Sequence, residues 1–185
     1  MKIADTDILL VPGQGDTPDG HWMKRWQAKM ANAWVVEQLN WHQPVRKVWQ
    51  DALVARVELA NRPVVLVGHS LGCILIAHAG HVLPKGTVRG AYLVAPTDLE
   101  RNAPKPVFDV AGFAPLPAAP LPFRTHLVAS RTDPQCAFER AAEFAKSWGA
   151  TFQDAGDAGH LNLASGHGPW PEGMMSFAAF MKRLG

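Results

Sequence analysis

The sequence predicts an α/β fold, a three-layer sandwich in which helices cover both faces of a six-stranded, mostly parallel sheet. Short apolar runs without alternation recur along the chain, which is typical of parallel strands that are buried on both faces. Helical patterns lie between most of these runs. Alternation of strands and helices favours a layered fold that is built from right-handed crossovers.

Six segments are predicted as strands, with the order 2-1-3-4-5-6 across the sheet. They are residues 7–12, 34–40, 63–68, 90–96, 125–131 and 150–156. Two apolar stripes at helical spacing predict further helices, namely Ala137, Ala141, Phe144 and Trp148, and then Met174, Phe177, Met181 and Leu184. Pro171 suits the first turn of the final helix. No repeat or boundary interrupts the pattern, so residues 1–185 are predicted to form one domain.

Composition and charge exclude several function classes. Lys and Arg total 18 and Asp and Glu total 16, and these charges are scattered, so neither nucleic acid nor a membrane surface is expected as a partner. Cys73 and Cys136 lack the spacing of a metal site and are too few for a disulfide framework, which favours free thiols. The apolar run near the N-terminus is too short for a signal peptide or a membrane span. We therefore expect a cytoplasmic protein.

The motif Gly-His-Ser-Leu-Gly, residues 68–72, lies between the third predicted strand and a helix that begins at Leu71. This strand–turn–helix setting is typical of a nucleophile elbow, where the strained serine needs small residues on both sides. An ordinary tight turn is the alternative. The setting makes Ser70 the candidate nucleophile.

A serine nucleophile needs a base, and the base needs an orienting acid. Asp133 lies just past the fifth predicted strand, and His160 lies in a loop just past the sixth. Because parallel strands all end at one edge of a sheet, these side chains are expected to meet Ser70 there. The sequence therefore predicts a Ser70, Asp133 and His160 triad.

Other titratable residues leave alternatives open. His167 is the alternative base, and Asp98, which follows the fourth strand, is the alternative acid. The remaining candidates are expected to have packing, surface or loop-shaping roles: His69, His78, His81, Cys73, Asp154 and Asp157.

A tetrahedral intermediate also needs donors for its oxyanion. The backbone N–H of Leu71 is free at the start of a helix, and the amide of Gln14 is the second candidate. Gln14 lies in the glycine-rich exit of the first strand, where a simple turn at Pro12 and Gly13 is the alternative. A phosphate-binding loop is excluded because the Gly-Lys-Ser/Thr ending and the third glycine are absent.

Four side chains are predicted to line a substrate pocket: His21, Trp22, Phe108 and Phe113. Trp22, like Trp26, has a core position as its alternative. Phe108 and Phe113 belong to residues 100–123, which hold six of the fifteen prolines. Proline at that density prevents a long helix and predicts a loop, which with Leu116 is expected to fold over the strand ends.

The segments "GHSLG", "ASRTDP", "PGQGD…HWMKRW" and "WGATFQDAGDAGHLNLASGHGPWPEG" resemble the small serine hydrolases of the α/β-hydrolase superfamily. The similar branch is the cap-less group that includes retinoblastoma-binding protein 9 and bacterial YdeN-type relatives, and the resemblance covers nearly the whole chain. It implies an α/β-hydrolase fold without a cap domain, a triad on the three residues named above, and hydrolysis of small esters or, in some members, amides. The partner-binding motif Leu-x-Cys-x-Glu of the mammalian protein is replaced by "LGCIL" at residues 71–75, so no retinoblastoma-type partner is expected.

These observations predict a serine hydrolase that cleaves small carboxylic esters through an acyl-enzyme, with no metal or organic cofactor. An amidase, an aminopeptidase or a thioesterase would use the same residues. A non-catalytic binding protein on a hydrolase scaffold is the alternative from another class.

Overall fold

The computed structural model describes residues 1–15, 17–100 and 112–185, which contain one six-stranded sheet. Its strands are β1 (Asp7–Val11), β2 (Ala33–Val35), β3 (Val64–Ser70), β4 (Val88–Pro96), β5 (Arg124–Ala129) and β6 (Thr151–Asp154). The strand order is β2-β1-β3-β4-β5-β6, which confirms the predicted order. Each neighbouring pair is parallel, so the sheet described here is fully rather than mostly parallel. The order reverses between β1 and β3, where open α/β sheets bind ligands beyond their strand ends.

Among the described residues, five α-helices cover the two faces of the sheet. They are α1 (Trp22–Lys29), α2 (Arg46–Glu58), α3 (Leu71–Ala79), α4 (Phe138–Trp148) and α5 (Pro171–Arg183). Pro171 is the first residue of α5, as predicted. An N–H at the first position of a helix has no partner within the helix, so proline, which lacks this group, loses no hydrogen bond there. Ala137 precedes α4 as its N-cap residue.

Side chains of β3 alternate between two apolar cores, one on each face. Val64 and Leu66 join the core beneath α2, α3 and α4, whereas Val65 and Val67 join the core beneath α1 and α5. All seven residues of β3 are buried, which explains its unbroken apolar sequence. The central strand therefore holds its C-terminal end, with Ser70, in a rigid position.

The two edge strands are shorter than predicted. The second strand, predicted at residues 34–40, is only Ala33–Val35 in the structure. Its partner β1 ends at Val11, and the next residue, Pro12, has no N–H to extend the ladder. β6 is likewise limited to Thr151–Asp154 beside the end of β5.

Both cysteines are free and buried in the core beneath α2, α3 and α4. Burial raises the pKa of the Cys73 thiol, and it raises the pKa of Cys136 to about 12. The expected core position of Cys73 is confirmed, and its thiol donates to the carbonyl of Val94. None of the helices in the described ranges is long and apolar enough to cross a membrane.

Candidate active site

Ser70 lies at the junction of β3 and α3 in a strained backbone conformation, with φ 57° and ψ −126°. Positive φ is costly for a residue with a Cβ and is typical of functional sites. A Cβ on Gly72 would overlap the carbonyl oxygen of Val11 and lie 2.6 Å from that of Pro12, and one on Gly68 would lie 2.8 Å from Ile76 Cδ1. The glycines of the motif are therefore required by the close contact of α3 with the sheet.

A continuous series of hydrogen bonds joins Ser70, His160 and Asp133. Ser70 Oγ lies 2.9 Å from His160 Nε2, and His160 Nδ1 lies 2.9 Å and 3.0 Å from the two carboxylate oxygens of Asp133. The side chains of His160 and Asp133 are only 6% and 2% exposed, so water competes little for these bonds. The structure thus brings the three predicted residues together from the ends of β3, β5 and β6.

Hydrogen bonds join the loop after β5, which carries Asp133, to the loop after β6, which carries His160, and hold the two side chains close together. Ser130 Oγ accepts from the backbone N–H of Ala158 at 2.9 Å, and Thr132 Oγ1 accepts from that of Gly159 at 3.1 Å. On the His160 side, Asp154 Oδ1 accepts from the N–H of Gly156 at 2.7 Å. Asp154 therefore shapes the histidine loop, as expected.

His69 and His21 extend the histidine cluster. His69 Nε2 lies 2.9 Å from the carbonyl oxygen of His160, and because a carbonyl only accepts, Nε2 carries the proton. The ring centroid of His69 lies 5.0 Å from the ring centroid of His160 and 5.1 Å from that of His21. Burial, followed by the neighbouring His160, lowers the pKa of His69 well below its ordinary value and that of His21 to about 4. Both rings are therefore neutral at neutral pH.

The sequence predicts a packing role for His69 but does not reveal the hydrogen bond between His69 and the carbonyl of His160. The partner is a backbone carbonyl 91 residues away, and no local motif marks it. The direct contact ties the loop of His160 to the residue before Ser70.

A small cavity of about 230 Å³ opens onto Ser70. Its lining includes Gly13, Gln14, His21, Gln135, Asn162 and Leu163. A Cβ on Gly13 would lie 3.0 Å from Ser70 Oγ, so the exit of β1 comes very close to the Ser70 side chain. No Lys, Arg, Asp or Glu is among the described lining residues, and burial keeps His21 uncharged. The described part of the cavity wall is therefore polar and has no acidic, Lys or Arg side chain.

The predicted substrate contact of Trp22 is wrong. Its side chain is fully buried, packs 4.8 Å from Trp26 and 5.2 Å from Trp170, and donates through Nε1 to the carbonyl of Leu161 at 2.9 Å. An indole buries a large area when its N–H finds such a partner. Trp22 supports the residue after His160 without reaching the cavity.

Phe113 is also a core residue rather than a substrate contact. It is fully buried, packs edge-on against Trp49, and its carbonyl accepts from His78 Nε2 at 2.8 Å. This part of the proline-rich segment folds onto α2 and α3, where Leu116 also packs. Phe108, the fourth predicted contact, lies outside the described residues.

The alternative base and acid have other neighbours. His167 Nδ1 lies 3.3 Å from Ser165 Oγ, and its ring packs edge-on against Trp170. Asp98 lies 3.4 Å from the guanidinium of Arg140. The hydrogen bonds described for Ser70 and His160 go to neither of them. His78 is half-buried and His81 is exposed, as expected.

We expect the free energy of unfolding to decrease as the pH falls from 6.5 towards 4. The pKa of His21 is lowered from 6.5 to about 4 in the folded protein, mainly by burial. Between pH 6.5 and pH 4 the unfolded chain binds a proton at His21 that the folded chain does not bind. The free energy of unfolding is therefore highest above pH 6.5, and His21 lowers it by about 3 kcal/mol as the pH falls to 4. Urea denaturation across this pH range measures the loss.

His21→Asn is the matched variant, because asparagine keeps an acceptor for the Met23 N–H at the start of α1 but does not titrate. We expect a shallower pH dependence in this variant, with the remaining slope due to His69 and the other buried histidines. An unchanged slope would contradict the assignment of the effect to His21.

The strand order, the strained serine between β3 and α3, and the histidine after the last strand define an α/β-hydrolase fold, with no cap domain among the described residues. A model of the serine hydrolase family matches residues 8–179 of the chain. The chain belongs to this serine hydrolase family, which confirms the resemblance found in the sequence.

Solved structures agree with this assignment. A structure described as that of a YdeN-like hydrolase from Pectobacterium atrosepticum is 32% identical, with a TM-score of 0.86 over 97% of this chain and 92% of that chain. The ydeN gene product of B. subtilis is 18% identical, with a TM-score of 0.72 over 96% and 99% of the two chains. Thermogutta terrifontis esterase 2 is 14% identical, with a TM-score of 0.73 over 100% and 86%. The last two share the fold, and no curated protein matches the chain.

Proposed function

We propose that this protein hydrolyses small carboxylic esters with a catalytic triad of Ser70, His160 and Asp133. The observation that carries the proposal is the unbroken hydrogen-bonded series from Ser70 Oγ to the Asp133 carboxylate. Membership of the serine hydrolase family supports the same reaction class. The site needs no metal or organic cofactor for this chemistry.

In the proposed reaction, His160 carries protons between Ser70, the leaving group and water. His160 Nε2 accepts the Ser70 proton as Oγ attacks the ester carbonyl carbon, while Asp133 holds the Nδ1 proton and stabilises the imidazolium. His160 then gives the proton to the departing alkoxide, which leaves an acyl group on Ser70. His160 then deprotonates a water molecule whose oxygen bonds to the acyl carbon. The bond from that carbon to Ser70 Oγ breaks, His160 returns the proton to Oγ, and the acyl group leaves as a carboxylic acid.

Two backbone amides are proposed as oxyanion donors. Leu71 is the first residue of α3, where an N–H has no partner within the helix. Gln14 follows Gly13, which comes close enough to Ser70 to exclude a Cβ. The side chain of Gln14 donates to the carbonyl of His42, which fixes the residue at the cavity rim.

The size and charge of the cavity support small, uncharged substrates. A volume of about 230 Å³ is below the range of roughly 300–1,000 Å³ that is usual for drug-sized ligands. A charged acyl group would find no opposite charge on the described wall, so its desolvation would be uncompensated. Acetyl and butyryl esters fit this environment, and an amide or thioester of similar size would use the same residues. The cytoplasmic location stays a prediction.

Labelling with a fluorophosphonate probe tests the proposal. We expect the wild-type protein to be labelled and Ser70→Ala to remain unlabelled. Ser147→Ala in α4 is the matched control, because Ser147 is not among the residues that line the cavity. A folded wild-type protein that resists the probe would contradict an activated serine. Short-chain and long-chain p-nitrophenyl esters, with an aminoacyl anilide beside them, would then rank the substrate classes.

Asp133→Asn is expected to lower kcat about ten-thousandfold with little change in the fold. Asparagine has the same shape, but its NH₂ group donates to Nδ1, so the proton moves to Nε2 and His160 no longer accepts from Ser70. Ester hydrolysis and circular dichroism measure the two effects.

Asp98→Asn is the control for this change, because it alters the acid that faces Arg140. We expect it to cost stability while the folded fraction keeps its activity. If Asp98→Asn removed activity and Asp133→Asn did not, the acid would be misassigned.

A further inference from the structure

Thr97 is a second polar side chain in contact with the nucleophile. Its Oγ1 lies 2.8 Å from Ser70 Oγ and 3.1 Å from the side-chain oxygen Oε1 of Gln135. Ser70 Oγ is therefore in contact with two polar groups, the Thr97 hydroxyl and His160 Nε2. The triad accounts for only one of these contacts.

An irregularity in β4 brings Thr97 to this position. His69 pairs with Val94, whereas Ser70 pairs with Pro96, so Ala95 is an extra residue in the strand. Ala95 is buried with φ 48°, in the left-handed region that alanine rarely adopts. Bulges of this kind redirect the residues that follow, and such strain is concentrated at functional sites. The extra residue Ala95 therefore shifts the end of β4 so that Thr97 lies beside Ser70.

Donor and acceptor counts allow one direction for the hydrogen bonds of Ser70. When His160 donates from Nδ1 to Asp133, its neutral ring accepts at Nε2, and Ser70 is the donor at 2.9 Å. A hydroxyl has one proton, so Ser70 can only accept from Thr97. The Thr97 proton therefore points at Ser70 Oγ.

The side chain of Gln135 determines where the Thr97 hydroxyl proton can point. The atom that faces Thr97 Oγ1 is Gln135 Oε1, which would take the Thr97 proton and leave none for Ser70. With its own proton on Ser70, Thr97 Oγ1 is an acceptor, and the Gln135 amide must turn so that its NH₂ group faces Thr97. A half-turn of the amide exchanges its oxygen and nitrogen while leaving the other heavy atoms in place. The backbone N–H of Gln135 also donates to Asp133 Oδ1 at 2.8 Å. Gln135 thus contacts Thr97 through its side chain and Asp133 through its backbone.

We propose that Thr97 positions the Ser70 nucleophile and donates a hydrogen bond to it throughout the attack, with the Gln135 amide orienting the Thr97 hydroxyl. The inference rests on the proposed function. In the attack, the Ser70 proton passes to His160, the Oγ–carbon bond forms, and the carbonyl electron pair moves to the carbonyl oxygen. Thr97 keeps its own proton, and its hydrogen bond stabilises the negative charge that builds on Oγ as the Ser70 proton leaves.

The position of Thr97 predicts an effect on turnover rather than on substrate binding. Thr97 contacts the nucleophile but is not among the residues that line the cavity. The hydrogen bond is present before the attack and strengthens as negative charge builds on Oγ, so its removal lowers kcat and leaves KM, which depends on the cavity, unchanged. This separates the proposed role from a contribution to the shape of the pocket.

Thr97→Val and Thr97→Ser form the test pair. Valine keeps the shape and removes the hydroxyl, so we expect about a tenfold loss in kcat and in the rate of fluorophosphonate labelling, at unchanged KM and melting temperature. Serine keeps the hydroxyl and should stay within about threefold of wild type. A packing role would give the opposite ranking, with valine near wild type and serine impaired.

The outcomes distinguish this inference from the proposed function. A wild-type protein that is labelled at Ser70, combined with a Thr97→Val variant of wild-type rate, overturns the role of Thr97 alone. A wild-type protein that neither reacts with the probe nor hydrolyses esters overturns the proposed function itself.

Gln135→Glu tests the orientation step. A carboxylate only accepts, so it should attract the Thr97 proton away from Ser70 and slow labelling about as much as Thr97→Val does. In the Thr97→Val background the same change should add little, because the hydroxyl is already gone. Fully additive losses would overturn the link between Gln135 and Thr97.

Discussion

Replacing His160 with alanine should lower kcat for ester hydrolysis about a millionfold. No other base is within hydrogen-bonding reach of Ser70 Oγ among its described contacts, which are His160 Nε2 and the hydroxyl of Thr97. Without the imidazole, the serine proton has no acceptor and the leaving alkoxide has no donor. Steady-state kinetics with a short-chain p-nitrophenyl ester measure the loss.

His167→Ala is the matched control because His167 lies seven positions further along and shares the same loop region. The described contacts of its side chain are with Ser165 and Trp170, so we expect kcat to stay within about threefold of wild type. Loss of activity in His167→Ala, with activity retained in His160→Ala, would make His167 the base and refute the proposed triad.

Gly72→Ala is expected to have the largest effect on stability, a loss of about 4 kcal/mol or more in the free energy of unfolding. The new Cβ would overlap the carbonyl oxygen of Val11 and lie 2.6 Å from that of Pro12. Neither backbone group can rotate away, so α3 would have to move off β1. That movement would also separate the Leu71 amide from the exit of β1, and catalysis should fall together with stability. Urea denaturation and the labelling rate report the two losses.

Gly86→Ala separates the steric clash from the cost of replacing a glycine. Gly86 has φ +79°, and a Cβ there would meet no atom within 4 Å, so only backbone strain of about 1 kcal/mol is expected. If both variants lost the same stability, the contact between α3 and β1 would not be the cause.

Local signals were sufficient to predict the strand order and to bring together the candidate triad. Unbroken apolar runs mark the strands that are covered on both faces, as in β3, where every residue is buried. Strand ends then locate Ser70, Asp133 and His160, because a parallel sheet collects the residues after its strands at one edge. The one-domain organisation of residues 1–185 stays a prediction.

Contacts that depend on tertiary packing could not be predicted in this way. An aromatic residue near a strand exit has the same sequence signature whether it points into a cavity or into a core. Trp22 and Phe113 were assigned to the cavity, yet both are fully buried, each in contact with a helix or loop distant in sequence. Thr97 was missed because a bulge at Ala95, which no motif marks, sets its position.

Because β6 lies at the edge of the sheet, we expect the part of the candidate site that follows it to open at a lower temperature than the central strands. β6 has four residues that are mostly exposed and it pairs with β5 alone, whereas β3 is buried between two neighbours. Segments with so few buried contacts open locally at a lower free energy than the central strands. In the proposed triad, the base therefore follows the edge strand, which is the weaker cooperative unit, and the nucleophile ends the central strand, which is the stronger one. On warming, the enzyme would lose its base, and its turnover, while most backbone amides of the central sheet still resist hydrogen exchange.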